Sequence, residues 1–271
     1  MDTEQRVAQH YTREGLEQAI LSGLEASGKD IGKLTASDLS AVDEFHLGWL
    51  PATIEFAREL GLAKGMHVLD VGSGVGGPAR YFVEAHGCRV TGIDLTEGFV
   101  QVANALTERC GLADRATFMR ASALALPFEQ GAFDAASLIH VGMNIQDKAK
   151  LFSEVRRVLK SGGRFGVYEV MEVADGELPY PMPWSQTLDT SFVERPETYR
   201  RLLTAAGFTL EKERSQRDFA LSLAQAMRDK GTQPLGLQTL MGPAGQERMT
   251  NVMETLGRGI IAPIEIIARA V

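Results

Sequence analysis

MHVLDVGSGVGGPAR, residues 66–80, is the stretch whose reading decides the fold. It opens with a short run of β-prone apolar residues, turns through a cluster of glycines, and resumes with proline and helix formers. Gly72, Gly74 and Gly77 fall at GxGxxG spacing, where backbone can approach a ligand closely and the free N–H groups of a following helix point at it. Pro78 suits a first helical turn, in which its missing N–H costs nothing. Strand, glycine turn and helix in that order form the opening unit of an α/β sheet.

Four more short apolar runs follow: RVTGID (89–94), ATFMR (116–120), AFDAASLI (132–139) and GRFGVYEV (163–170). They are near-continuously apolar, as strands covered on both faces must be. Between them, 78–86, 97–110 and 146–160 keep helical spacing. In the last of these Leu151, Phe152, Val155, Val158 and Leu159 make the apolar face, and Gly162 and Gly163 are expected to stop the helix. A helix at 196–207, a strand near 208–213 and a strand within IIAPIEIIARAV (260–271) complete the pattern. The alternation predicts an α/β fold with a Rossmann-like, doubly wound, mostly parallel seven-stranded sheet carrying one antiparallel strand. Residues 1–60, with helical runs at 12–26 and 49–60, read as a helical N-terminal cap on a domain at 61–271. The proline-rich stretch at about 172–195 reads as a lid insertion over the sheet rim.

The chain has 271 residues, with 28 basic against 35 acidic side chains and a formal charge of −7. That balance offers no basic track for phosphates, so nucleic acid is not an expected partner. The apolar runs are interrupted by charge or glycine and the first ten residues are polar, so no membrane insertion is expected and a cytoplasmic location is. Cys88 and Cys110 are too few for a disulfide framework and lack zinc spacing. Acids do not cluster at metal-ligand spacing either, so no metal is expected. A small-molecule acceptor is the expected partner, and a homo-oligomer is left open.

Asp94 ends the second strand, about where dinucleotide-binding folds place a ribose acid. Asp70, two residues before the first glycine, would crowd a pyrophosphate but suits an ammonium or sulfonium group. The pair therefore fits a ligand with a cationic amino-acid end and a ribose, S-adenosylmethionine, whose product is S-adenosylhomocysteine. A nicotinamide-dependent oxidoreductase is the remote alternative.

The motifs DxGxGxG (70–76), GID (92–94), LPF (126–128) and RVLKSGG (157–163) resemble those of class I S-adenosylmethionine-dependent methyltransferases. VDEFHLG (42–48), HVGMNIQDK (140–148), YPMPW (180–184) and NVMETLGRGI (251–260) are similar to segments of the sarcosine/dimethylglycine N-methyltransferase subgroup. The resemblance implies that Asp70, Gly72, Ser73 and Gly74 line the methionine end of the donor, that Asp94 takes both ribose hydroxyls, and that Leu95 and Thr96 edge the adenine. Thr96 reads equally as a helix N-cap. Many relatives carry an aspartate after strand three where this chain has Ser122 and Ala123, so a Ser122 hydroxyl would have to replace that adenine contact. Tyr11 would close over the donor as a lid residue.

In-line methyl transfer requires alignment and exclusion of water rather than a nucleophilic side chain, but the acceptor must shed a proton. His140, ending strand four, and His46, within VDEFHLG, are the candidate catalytic groups. Both also read as backbone-bonded structural histidines. Glu169 on strand five is a further candidate base, while Asp134 reads as structural. Met143, Asn144, Tyr180 and Trp184 are candidate acceptor contacts, with Asn144 suited to a substrate carboxylate and the aromatics to a cationic centre. Relatives often carry two glycines after the His46 position, where this chain has Gly48 followed by Trp49, so acceptor size is expected to differ. A small amine such as sarcosine or dimethylglycine is the expected acceptor. The alternative is carbon or oxygen methylation of an apolar sterol-, quinol- or prenyl-like compound in a pocket formed by Trp49, Met143, Met182 and Trp184.

Overall fold

A computed structural model describes residues 2–230, 236, 238–242 and 244–271. Strands β1 (His67–Val71), β2 (Arg89–Asp94), β3 (Ala116–Arg120), β4 (Phe133–Ile139), β5 (Leu159–Glu172), β6 (Phe208–Ser215) and β7 (Ile261–Ala270) form one sheet in the order β3-β2-β1-β4-β5-β7-β6. β7 runs antiparallel to both neighbours, and the other adjoining pairs are parallel. This is the expected Rossmann-like α/β sheet with one antiparallel strand. Strand order reverses between β1 and β4, which leaves a crevice at their carboxyl ends where open α/β sheets bind ligands.

Helices α1 (Thr3–Tyr11), α2 (Leu16–Ala26), α3 (Ala36–Asp43) and α4 (Trp49–Leu60) precede the sheet. Between strands lie α5 (Gly77–His86), α6 (Glu97–Arg109), α7 (Lys148–Val158) and α8 (Pro196–Ala205), and α9 (Arg217–Lys230), α10 (Gln238–Met241) and α11 (Gly245–Gly257) follow β6. Side chains alternate across the sheet as strand geometry requires. Leu69, Val71, Phe165, Val167 and Ile266 face Phe152, Val155, Tyr199 and Leu203 of α7 and α8. Val68, Tyr168 and Ile267 face Phe56, Leu60, Phe82 and Val83 of α4 and α5. Each such large apolar side chain contributes ~1.5–3 kcal/mol when fully buried. α6 turns Val100 and Ala103 toward the sheet and Phe99, Val102 and Leu106 toward Ile20, Leu24 and Leu39 of the cap, which joins the two.

Three helical expectations change. The run expected at 12–26 is interrupted: α1 ends at Tyr11, and the chain passes through left-handed Gly15 (φ 67°) before α2 begins. α3 lies within the expected helical cap but between the two runs named for it. Both α1 and α3 open with capping boxes, Asp2 with Gln5 and Thr35 with Asp38, a local signal that apolar periodicity does not carry. Gly162 and Gly163 stop no helix. α7 ends at Val158 and the chain enters β5 directly; pairing then jumps from Phe133–Leu159 to Ala135–Arg164, with both glycines inside that irregularity.

Residues 173–195 hold a short 3-10 turn (Leu188–Thr190) and a bridge between Met182 and Ser185, but no helix or strand. Met182 and Trp184 are buried there with Leu47, Met143 and Val170. Among the described residues no helix is long and apolar enough to cross a membrane.

Candidate active site

Because β1, β2 and β4 end on one rim, Asp70, Asp94 and His140 emerge side by side there. A cavity of about 120 Å³ opens among them. The glycine loop is pinned to β2: the Ser73 N–H donates to the Ile93 carbonyl at 2.9 Å and the Gly74 N–H to Asp94 Oδ2 at 3.0 Å. Asp94 Oδ1 accepts the Thr96 N–H at 2.8 Å. Thr96 opens α6 without a side-chain cap. Asp70 Oδ1 accepts the Ser137 hydroxyl at 2.7 Å, while Oδ2 is buried without a partner. Burial raises the Asp70 carboxyl to about 7 and raises Asp94 as well. An unpartnered buried carboxylate oxygen costs free energy unless a cation meets it, and the ammonium or sulfonium of S-adenosylmethionine fits that requirement.

Tyr11, Asp70, Gly72, Ser73, Gly74, Asp94, Leu95, Thr96 and Ala123 all line this cavity. Ser122 does not. Its hydroxyl donates to Glu4 at 2.5 Å, so it anchors α1 rather than an adenine. The cap reaches the same cavity through Glu4, Val7 and Tyr11, and the Tyr11 hydroxyl donates to Asn144 Oδ1 at 2.9 Å.

Two residues that sequence reasoning missed hold the loop in place. Arg80 on α5 is fully buried and donates to Asp43 at 2.8 Å, to the Val75 carbonyl at 2.7 Å and to the Thr107 hydroxyl at 2.9 Å. It thereby ties the cap, the glycine loop and α6 together. Burial raises the Asp43 carboxyl to about 6 against the pull of Arg80. At 37 residues apart, the pair left no local pattern to read.

A second cavity, of about 50 Å³, adjoins the first and shares Tyr11, Phe45, His46 and His140 with it. Its remaining wall includes Leu47, Trp49, Met143, Val170, Trp184 and Val252. Of the expected acceptor contacts Met143 and Trp184 line this second cavity, whereas Tyr180 and Met182 line neither cavity. Tyr180 packs instead into the apolar cluster beneath the 173–195 stretch, and Met182 is fully buried within it. Asn144 lines the first cavity, but its amide is committed to Tyr11 and, at 2.7 Å, to the Trp184 carbonyl. It joins the cap to the 173–195 stretch. Trp49 (φ 47°) and His140 (φ 53°) are the non-glycine residues with left-handed backbone among those described. Bulky residues adopt that conformation at a cost of roughly 1–2 kcal/mol, and both line the second cavity.

The two histidines differ in what holds them. His140 Nδ1 donates to the Tyr168 carbonyl at 3.0 Å, and its Nε2 accepts the Leu47 N–H at 3.2 Å. Both nitrogens are occupied by backbone. Burial, with His46 beside it, lowers His140 to about 3, so the ring stays neutral and braces the rim. His46 Nε2 lies 2.8 Å from Glu44 Oε2, which also accepts the Thr53 hydroxyl at 2.5 Å. If Nε2 carries the proton toward Glu44, Nδ1 is the basic nitrogen; the Leu47 carbonyl lies 3.4 Å from it. Glu169 lines neither cavity; its Oε1 accepts the Val141 and Gly142 N–H groups at 2.8 and 2.7 Å, and burial raises its carboxyl to about 7. Asp134 accepts the His67 N–H at 2.8 Å and pairs with Lys160 at 2.6 Å, a structural role at the start of β4.

Residues 69–167 match the profile of a family described as a methyltransferase domain. A sterol 24-C-methyltransferase of Gibberella zeae is 43% identical over 113 residues, covering 42% of this chain and 30% of that protein. The chain thus spans about a third of the length of the curated relatives it matches. Two solved structures share the fold at 23% identity. The (4+2)-cyclase SpnF aligns with a TM-score of 0.69 over 99% of this chain and 97% of its own. A sarcosine dimethylglycine methyltransferase candidate from Galdieria sulphuraria aligns with a TM-score of 0.67 over 81% and 84%. Residues 69–167 are thus similar to a methyltransferase domain and lie within a Rossmann-like sheet.

Proposed function

We propose that this chain transfers a methyl group from S-adenosylmethionine to carbon or oxygen of an apolar acceptor, and that His46 removes the acceptor's proton. The observation that carries the reading is the apolar second cavity joined to the donor cavity at His46 and His140. No lysine or arginine among the described residues lines either cavity, so a sarcosine carboxylate would find no cation there. The match to a sterol carbon methyltransferase supports the same preference over a small amine.

When bound, S-adenosylmethionine supplies an electrophilic methyl group and leaves as S-adenosylhomocysteine. Asp70 and Asp94 hold its cationic end and ribose, and Tyr11 on α1 and Trp184 in the 173–195 lid exclude water from the junction. Glu44 and Thr53 orient the His46 ring, His46 Nδ1 accepts the proton released at the acceptor, and His140 acts as a positioning residue that fixes the Leu47 backbone beside it.

The test is S-adenosylhomocysteine release across phenols, prenyl compounds, sterols, sarcosine and dimethylglycine. Turnover is expected with apolar members, and His46→Ala is expected to lower it by ~10²–10⁴ with product affinity nearly unchanged. Turnover confined to the small amines would overturn the acceptor class, and a wild-type rate in His46→Ala would remove His46 as the base.

A further inference from the structure

The wall of the inner acceptor cavity opens outward. Trp49 and Met249, which line that cavity, also line a surface groove of about 620 Å³. Met227 of α9 and Met253 of α11 complete an apolar bed with Ala224, and exposed Gln246, Thr250 and Glu254 form its polar edge. Met227 is 45% exposed. Unbranched thioether side chains repack readily around ligands of different shape.

Small-molecule pockets commonly measure roughly 300–1,000 Å³, so the inner cavity of about 50 Å³ encloses only the reacting end of a larger acceptor. The remainder has to leave through a wall, and the wall at Trp49 and Met249 continues into an apolar groove. Trp49 holds its left-handed backbone (φ 47°) at that junction, and strained conformations persist where the surrounding structure fixes them for use.

We propose that the groove lined by Met227, Met249 and Met253 is a second acceptor subsite, which takes the apolar tail of an elongated substrate while its reacting end lies at His46. Trp49 forms the sill between the two. The proposal rests on the apolar-acceptor reading and adds the shape of the acceptor: a reactive head on an extended hydrocarbon tail, longer than the inner cavity can hold.

Both tryptophans of the sequence, Trp49 and Trp184, line the inner cavity, so intrinsic fluorescence reports its occupancy whichever atom is methylated. The probe is a series of primary n-alkanols from hexanol to dodecanol, titrated into the full chain saturated with S-adenosylhomocysteine. Kd is expected to fall about two- to fourfold per added methylene. In Met253→Glu that slope should collapse while hexanol binds as to wild type. Met227→Glu, at an exposed position, should do the same and guards against a folding defect in the first variant. A slope retained in both variants, or affinity flat from hexanol to dodecanol in wild type, overturns the subsite. Failure of the underlying reading looks different: no alkanol of any length alters the fluorescence, and sarcosine or dimethylglycine alone is turned over.

Discussion

At the scale of single residues, Asp70 carries a burial cost that a cation at its unpartnered oxygen would relieve. Its carboxyl, raised to about 7 by burial, stays protonated in the folded chain between pH ~4 and 7, whereas the unfolded chain has already lost that proton. Its contribution to stability is therefore full at low pH and is lost as pH rises through 7. His10 and His140, lowered by burial to about 4 and about 3, act in the opposite direction below their ordinary value, so the clean measurement is a difference. Asp70→Asn is expected to gain on wild type in unfolding free energy from pH 5 to pH 8 by on the order of 1–3 kcal/mol, while binding S-adenosylmethionine more weakly. A difference between the two proteins that stays the same at both pH values would show that Asp70 carries no buried charge. Asp94→Ala should weaken S-adenosylhomocysteine by ~2–3 kcal/mol through loss of two charge-assisted hydroxyl bonds, which calorimetry reads directly. That Asp70 and Asp94 line the first cavity was legible because each stands beside a glycine motif in the chain. The partners that orient the site were not: Arg80 reads as an ordinary helix cation until Asp43, Val75 and Thr107 are folded around it.

The elements explain why that partnership is unforgiving. α5 starts against the end of α3, and a Cβ on Gly77 would lie 2.2 Å from the Asp43 carbonyl oxygen. The obstacle is backbone, so it cannot swing aside. Gly77→Ala is expected to lower the unfolding midpoint by several degrees and to weaken donor binding with it, because the glycine loop and the cap must separate. Thermal unfolding with and without S-adenosylhomocysteine tests both effects. The strands were readable as apolar runs because a doubly covered sheet tolerates little else. α1 escaped the periodicity because a nine-residue helix with one buried position, Val7, shows almost no stripe. Gly162 and Gly163 misled for a related reason: glycine after a helical run signals a stop only if the chain leaves the helix through a turn, and here it leaves straight into β5.

Over the whole molecule, the cap, the sheet and the 173–195 stretch meet at one junction, where Asn144 bonds both Tyr11 and the Trp184 carbonyl. Sequence reading named most of the residues that line the first cavity and, of the second, Trp49, Met143 and Trp184; the rest of that wall comes from β5, α11 and irregular chain far apart in sequence. Donor binding should accordingly stabilise the entire chain, by RT ln(1 + [L]/Kd), and the thermal shift produced by S-adenosylmethionine should grow from pH 5.5 to 8 as Asp70 ionises. A shift that shrinks over that range would place the cation away from Asp70. The sheet order has a kinetic consequence as well. Among the described residues β6 pairs with β7 and with no other strand, and β7 also lies against β5. During synthesis β6 emerges before the strand that joins it to the sheet, and until β7 inserts between them the nascent chain carries two open strand edges, the kind of surface that invites wrong pairing. Pulse-labelled hydrogen exchange during refolding should find the β6 amides among the last to gain protection, together with those of β5 that face β7, after β1 to β4 have closed.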